Sequence, residues 1–131
     1  MKHSVLTALS IIILLCCDLH IPAAATEITY NLSEAVSVAK EEQKNILAIF
    51  SIDGCPYCTN LIQDMQNDSD MKNFVVCYID VSDDRRTRRQ YSIRNFPSSL
   101  IFSYNNTHKE LFRKVGYKNS IDFKEWLNQN K

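Results

Sequence analysis

Two thiols separated by two residues, Cys55-Pro56-Tyr57-Cys58, carry the most evident chemistry of this chain. On a helix the pair lies one turn apart, the spacing that a dithiol/disulfide couple needs. Pro56 suits the first position of a helix, where a missing N–H costs nothing, so Cys55 falls at the helix start. There the free backbone N–H groups and the positive end of the helix dipole favour a thiolate over a thiol, which makes Cys55 the expected nucleophile. Cys58, one turn in and facing inward, is the expected resolving thiol, attacking the mixed disulfide formed at Cys55. Pro56 holds the spacing, and Tyr57 is expected to present its ring beside the sulfurs to an incoming peptide.

Blander chemistry fits the same residues less well. A purely structural disulfide is disfavoured because a bridge closing so short a loop adds little stability. A zinc site needs four ligands, and beyond this pair only Cys77 and His108 follow the N-terminal segment, so no metal and no other cofactor is expected. Cys77 sits mid-strand and reads as a buried, inert thiol. His108 falls in a turn, and a Ser/His/Asp assembly has no second histidine to draw on. The Asn-x-Ser/Thr sequences at Asn31, Asn67 and Asn105 matter only in a eukaryotic secretory pathway.

The elements that must hold the cysteine pair follow from hydrophobic periodicity. Glu27–Tyr30 fits a short edge strand, and Asn31 or Ser33 can cap a helix with Leu32, Ala35, Val36 and Ala39 on one face, running to about Lys44. Residues 45–52 form a continuous apolar run, the mark of a strand covered on both faces. Cys58, Leu61, Ile62 and Met65 then share a helix face, and 74–81 is a second buried strand, so a βαβ crossover is predicted. Ser82-Asp83-Asp84 precedes a short helix bearing Arg85, Arg86, Arg88 and Arg89, read as a solvated face. A strand over 98–104, a turn at 105–107 and a partner strand over 110–115 make a hairpin ended by Gly116. Asn119 or Ser120 caps a last helix, with Ile121, Phe123, Trp126 and Leu127 as its expected apolar stripe.

Composition bounds the rest. The chain has 131 residues, 45% apolar and 23% charged, which fits one globular domain without low-complexity segments. Fifteen basic residues balance fifteen acidic ones, so no basic field recruits nucleic acid. Residues 1–25 combine a cationic start, the apolar run Val5–Cys17 and the small residues Ala23-Ala24-Ala25, the pattern of a signal peptide. An uncleaved membrane anchor, or a lipoprotein leader around Leu14-Leu15-Cys16-Cys17, also fits this segment. Removal after Ala25 leaves a single expected domain over 26–131, in a compartment where disulfides persist.

The order helix, strand, Cys-x-x-Cys helix, strand, helix, proline-led hairpin, helix resembles the thioredoxin fold over essentially all of residues 26–131. That fold is α/β, with a central mixed β-sheet flanked by helices. The residues carrying the resemblance are Cys55-Pro56-Tyr57-Cys58 after a buried strand, Phe96-Pro97 before the third strand, and Gly116 after the hairpin. The chain looks most similar to secreted, single-domain thioredoxin-related proteins of bacteria, and its tetrapeptide resembles the glutaredoxin motif. The resemblance implies a cis bond before Pro97, with Phe96 and Pro97 lining a groove opposite the dithiol, where an extended substrate pairs by strand addition. Two positions depart from the family pattern. Ile49 stands where many thioredoxins carry a buried acid, so a proton relay of that kind lacks its acid, and Gly54 stands where a tryptophan is usual.

The expected function is therefore a periplasmic or secreted thiol–disulfide oxidoreductase that exchanges disulfides with protein substrates through Cys55 and Cys58. Reduction is slightly favoured, since isomerases of this kind are usually dimers with an added domain that residues 26–131 have no room for. A membrane-bound or soluble redox partner and a monomeric state are expected. The competing class is a non-catalytic peptide-binding module that keeps Cys55–Cys58 as a staple.

Overall fold

A computed structural model describes residues 28–131. The leader expected over residues 1–25, with its anchor and lipoprotein alternatives, lies outside the described residues. Strand β1 (Ile28–Thr29) leads into helix α1 (Leu32–Glu42), where the Asn31 side chain accepts the Ser33 N–H at 2.9 Å. That bond satisfies one of the donors a helix start leaves free. Helix α1 stops at Glu42, two residues before the expected end, because Gln43 turns into the left-handed region at φ 54° and closes the last turn onto Ala39.

Strand β2 (Ile46–Ser51) is followed by α2 (Pro56–Met65), a 3-10 helix (Ser69–Asn73), β3 (Val75–Asp80) and α3 (Arg85–Gln90). The chain finishes with β4 (Ser98–Phe102), β5 (Glu110–Val115) and α4 (Ser120–Gln129). Sheet order is β1-β3-β2-β4-β5, with β1, β3 and β2 parallel and β4 and β5 antiparallel. The sheet is therefore mixed and flanked by helices, as the sequence pattern implies.

Alternation along the central strands splits the core into two layers. Leu47 and Ile49 of β2 pack with Val76, Tyr78 and Ile101 against Leu61 and Met65 of α2 and Phe123 and Leu127 of α4. Ile46, Ala48 and Phe50 face the other way, with Cys77, Leu100 and Phe102, onto Ala35 and Ala39 of α1. Both faces of β2 are thus covered, which is why its sequence reads as an unbroken apolar run. Each of these large side chains contributes about 1.5–3 kcal/mol by leaving water.

Two local expectations are corrected. Ile121 is 78% exposed and does not share the α4 stripe. It stands two residues before Phe123, so it projects from the opposite side of the helix, whereas Trp126 and Leu127, three and four residues beyond Phe123, follow its face. The 3-10 helix at Ser69–Asn73 was not expected; Asp68 nucleates it by accepting the Asp70 N–H at 2.9 Å.

Register decides what gathers at one end of the sheet. β2 and β3 run parallel and finish together, with Ser51 beside Asp80. β4 runs the other way and starts there, Ser98 lying beside Phe50 and also beside Val115, the last residue of β5. The loop after β2, the loop after β3, the residues before β4 and the turn after β5 therefore share one edge of the molecule.

Candidate active site

The cysteine pair occupies that edge. Gly54 leaves the β2 loop at φ +68°, a conformation glycine adopts without strain, and Cys55 follows as the N-cap of α2 with an extended backbone. Pro56 is the first helical residue. Cys55 Sγ accepts the Cys58 N–H at 3.2 Å, so sulfur takes the place of a capping oxygen. Cys55 and Cys58 are joined as a disulfide, with Cα atoms 5.3 Å apart.

The two sulfurs differ in access. Cys55 is half-buried, whereas Cys58 is only 3% exposed. Of the bonded pair, Cys55 is thus the residue that solvent reaches. Pro56 is exposed, and Tyr57 presents 61% of its surface beside the pair.

Phe96 and Pro97 lie immediately before β4. Phe96 is half-buried at the margin of the α1-side core, Pro97 is buried, and the bond between them is cis. The Pro97 carbonyl accepts the Gly116 N–H at 2.7 Å, and Gly116 holds φ +82°, so both glycines of the chain serve turns at this edge. The sequence-derived site residues are thus distributed as four consecutive residues on the α2 start and two at the entry to β4, all at the same end of the sheet.

Residues outside this set behave as follows. Ile49 is fully buried, with no ionisable group in its place. Cys77 is buried and free, and burial pushes its thiol up, which suits an inert group. His108 is exposed in the β4–β5 turn. Below the site, the Tyr117 hydroxyl donates to Asp64 Oδ2 at 2.6 Å, tying the segment after β5 to α2; burial and then this bond raise its phenol above the ordinary tyrosine range.

The loop after β3 contributes a residue that sequence reasoning used only as a helix lead-in. Ser82 Oγ accepts the Asp53 N–H at 2.8 Å and donates to Asp80 Oδ1 at 2.6 Å. Asp53, Asp80, Asp83 and Asp84 line an open depression with Ser82. No local pattern could have shown this link, since 29 residues separate Ser82 from Asp53.

A family model described as thioredoxin-like domain matches residues 32–131. The chain belongs to that family. Among solved structures, this thioredoxin-like domain is similar to a thioredoxin from Thermus thermophilus, at 20% identity and a TM-score of 0.66 over 81% of this chain and 87% of that one. It is also similar to the oxidised C-terminal domain of DsbD from Neisseria meningitidis, at 19% identity and a TM-score of 0.62 over 80% of this chain and all of that one. A third, DsbH oxidoreductase, matches at 17% identity and a TM-score of 0.57 over 84% and 90% of the two chains. At such identities these likenesses establish the fold. No curated protein sequence matches the chain.

Proposed function

We propose that this thioredoxin-like domain is a thiol–disulfide oxidoreductase acting on protein substrates outside the cytosol, with Cys55 as nucleophile and Cys58 as resolving thiol. The observation that carries the proposal is the unequal exposure of two bonded cysteines at a helix start, one accessible and capping the helix, the other buried. The reading of residues 1–25 as a signal peptide supports the location, and places the working domain at 26–131. The solved DsbD domain, in its oxidised and reduced forms, and DsbH, an oxidoreductase, support the activity class.

In the reducing direction, the Cys55 thiolate attacks one sulfur of a substrate disulfide. The Cys55–substrate bond forms, the substrate S–S bond breaks, and the other substrate sulfur leaves as a thiolate that takes a proton from water. Cys58 then loses its proton to solvent, and its thiolate attacks Cys55 Sγ. The Cys55–Cys58 bond forms and the second substrate thiolate departs. The substrate gains two electrons and the protein ends as the disulfide seen here. An external dithiol, soluble or membrane-borne, must return those electrons. Tyr57, Pro56, Phe96 and Pro97 form the surface an extended substrate meets, and a monomer suffices for every step.

Reduction of insulin disulfides with dithiothreitol as electron source tests the proposal. Wild type should accelerate precipitation and Cys55→Ser should not. Equal inactivity of both would favour a binding module stapled by its disulfide.

A further inference from the structure

We propose that Ser82 is a positioning residue for the cysteine loop: its hydroxyl, aimed by Asp80, fixes the Asp53 backbone and so keeps Cys55 at the start of α2. The inference rests on the thiol–disulfide reading of Cys55 and assigns a further residue to that site.

The need for a tether follows from where the sheet stops. The last backbone bond joining β2 and β3 runs from the Val81 N–H to the Ser51 carbonyl at 2.9 Å. Residues 52–54 lie beyond β2 and before α2, and they end in Gly54, whose backbone freedom would let the cysteine swing. Among the described residues, one hydrogen bond fastens this segment, from the Asp53 N–H to Ser82 Oγ at 2.8 Å.

A serine hydroxyl can rotate and serve as donor or acceptor. Here the choice is made by Asp80. Its Oδ1 accepts the Ser82 hydroxyl at 2.6 Å and the Ser82 N–H at 2.8 Å. With its proton committed there, the hydroxyl offers lone pairs to Asp53. The same two bonds, the hydroxyl first, hold the Asp80 carboxyl below its ordinary range, so it stays an acceptor. On the other side, Arg88 Nη2 donates to the Ser82 carbonyl at 2.7 Å, anchoring the loop to α3. Asp53, Asp80, Asp83 and Asp84 line the same depression with Ser82, and none of these acidic residues is substituted in the variants below.

The test reads the pH midpoint of Cys55 alkylation in the reduced protein, resolved by peptide mass, in wild type, Ser82→Ala and Ser82→Thr. A loosened cap stabilises the thiolate less. Ser82→Ala should raise the midpoint by about half a unit, which below the midpoint is a roughly three-fold slower reaction. Ser82→Thr, which keeps the hydroxyl, should restore the wild-type profile. A merely structural serine would lower stability and leave the midpoint where it is. A depressed wild-type midpoint that Ser82→Ala leaves unmoved overturns the role of Ser82 alone. A wild-type midpoint at the free-cysteine value removes the capping that Ser82 would support and so overturns the proposal, while loss of insulin reduction in the wild type is what would remove the thiol–disulfide reading. Should Ser82→Ala fail to fold, amide exchange in the wild type decides: the Asp53 N–H should be protected relative to those of Ile52 and Gly54, and equal exchange overturns the proposal.

Discussion

The Cys58 N–H lies 3.2 Å from Cys55 Sγ, so the sulfur of one cysteine caps the helix that carries the other. This arrangement makes the two thiols chemically unequal before any substrate arrives. In the reduced protein this N–H is expected to favour negative charge on Cys55. Peptide-resolved alkylation should find Cys55 reacting with a midpoint well below the free-thiol value of about 8.5. A midpoint at that value would sink the capping account.

Cys77 makes the opposite prediction. It lies in β3 on the α1-side face, fully buried, and burial pushes its thiol up. It should resist alkylation in the native reduced protein and react at once in denaturant. Native labelling of Cys77 at a rate comparable to Cys55 would contradict the packing described here.

The bond between Tyr117 and Asp64 joins the segment after β5 to α2. Removing it in Tyr117→Phe should cost about 1–2 kcal/mol, with the urea midpoint lowered and the m-value unchanged. An unaltered midpoint would mean that water replaces the bond without loss.

Asp68 should give stability a pH dependence. Burial pushes its carboxyl up, but the Asp70 N–H and the Lys124 ammonium, 2.9 Å away, outweigh burial and leave it below the ordinary carboxylate range. A carboxyl lowered on folding contributes stability above its unfolded value, near 3.9, and loses it as pH falls through the lower folded value. Asp68→Asn should therefore be less stable than wild type near neutral pH, and the gap in urea midpoint should close on acidification. A gap that stays constant would remove Asp68 from the account.

Phe123 is fully buried and packs against the rings of Tyr117 and Trp126, with centroids 6.0 and 5.5 Å away. Phe123→Ala should cost about 3–5 kcal/mol, enough to strip much of the stability of a domain this size. Retention of a wild-type thermal transition would show that α4 is not needed to close the core over α2.

What could be read in the residues was whatever local chemistry determines. Pro56 marked the start of α2, the apolar run over 45–52 marked a strand covered on both faces, and Gly116 marked the turn after the hairpin. The Asp53–Ser82–Asp80 linkage was beyond reach, because it forms only when parallel β2 and β3 end side by side. Ile121 misled because apolar character alone does not put a residue on the buried face; its spacing from Phe123 does.

Mass spectrometry of Cys58→Ser incubated with a disulfide-bonded substrate tests the central claim most directly. With the resolving thiol gone, the first exchange should stop at a covalent adduct of one substrate half on Cys55, released by dithiothreitol. Absence of any adduct on Cys55, or an adduct found only on Cys77, would contradict disulfide exchange centred on Cys55.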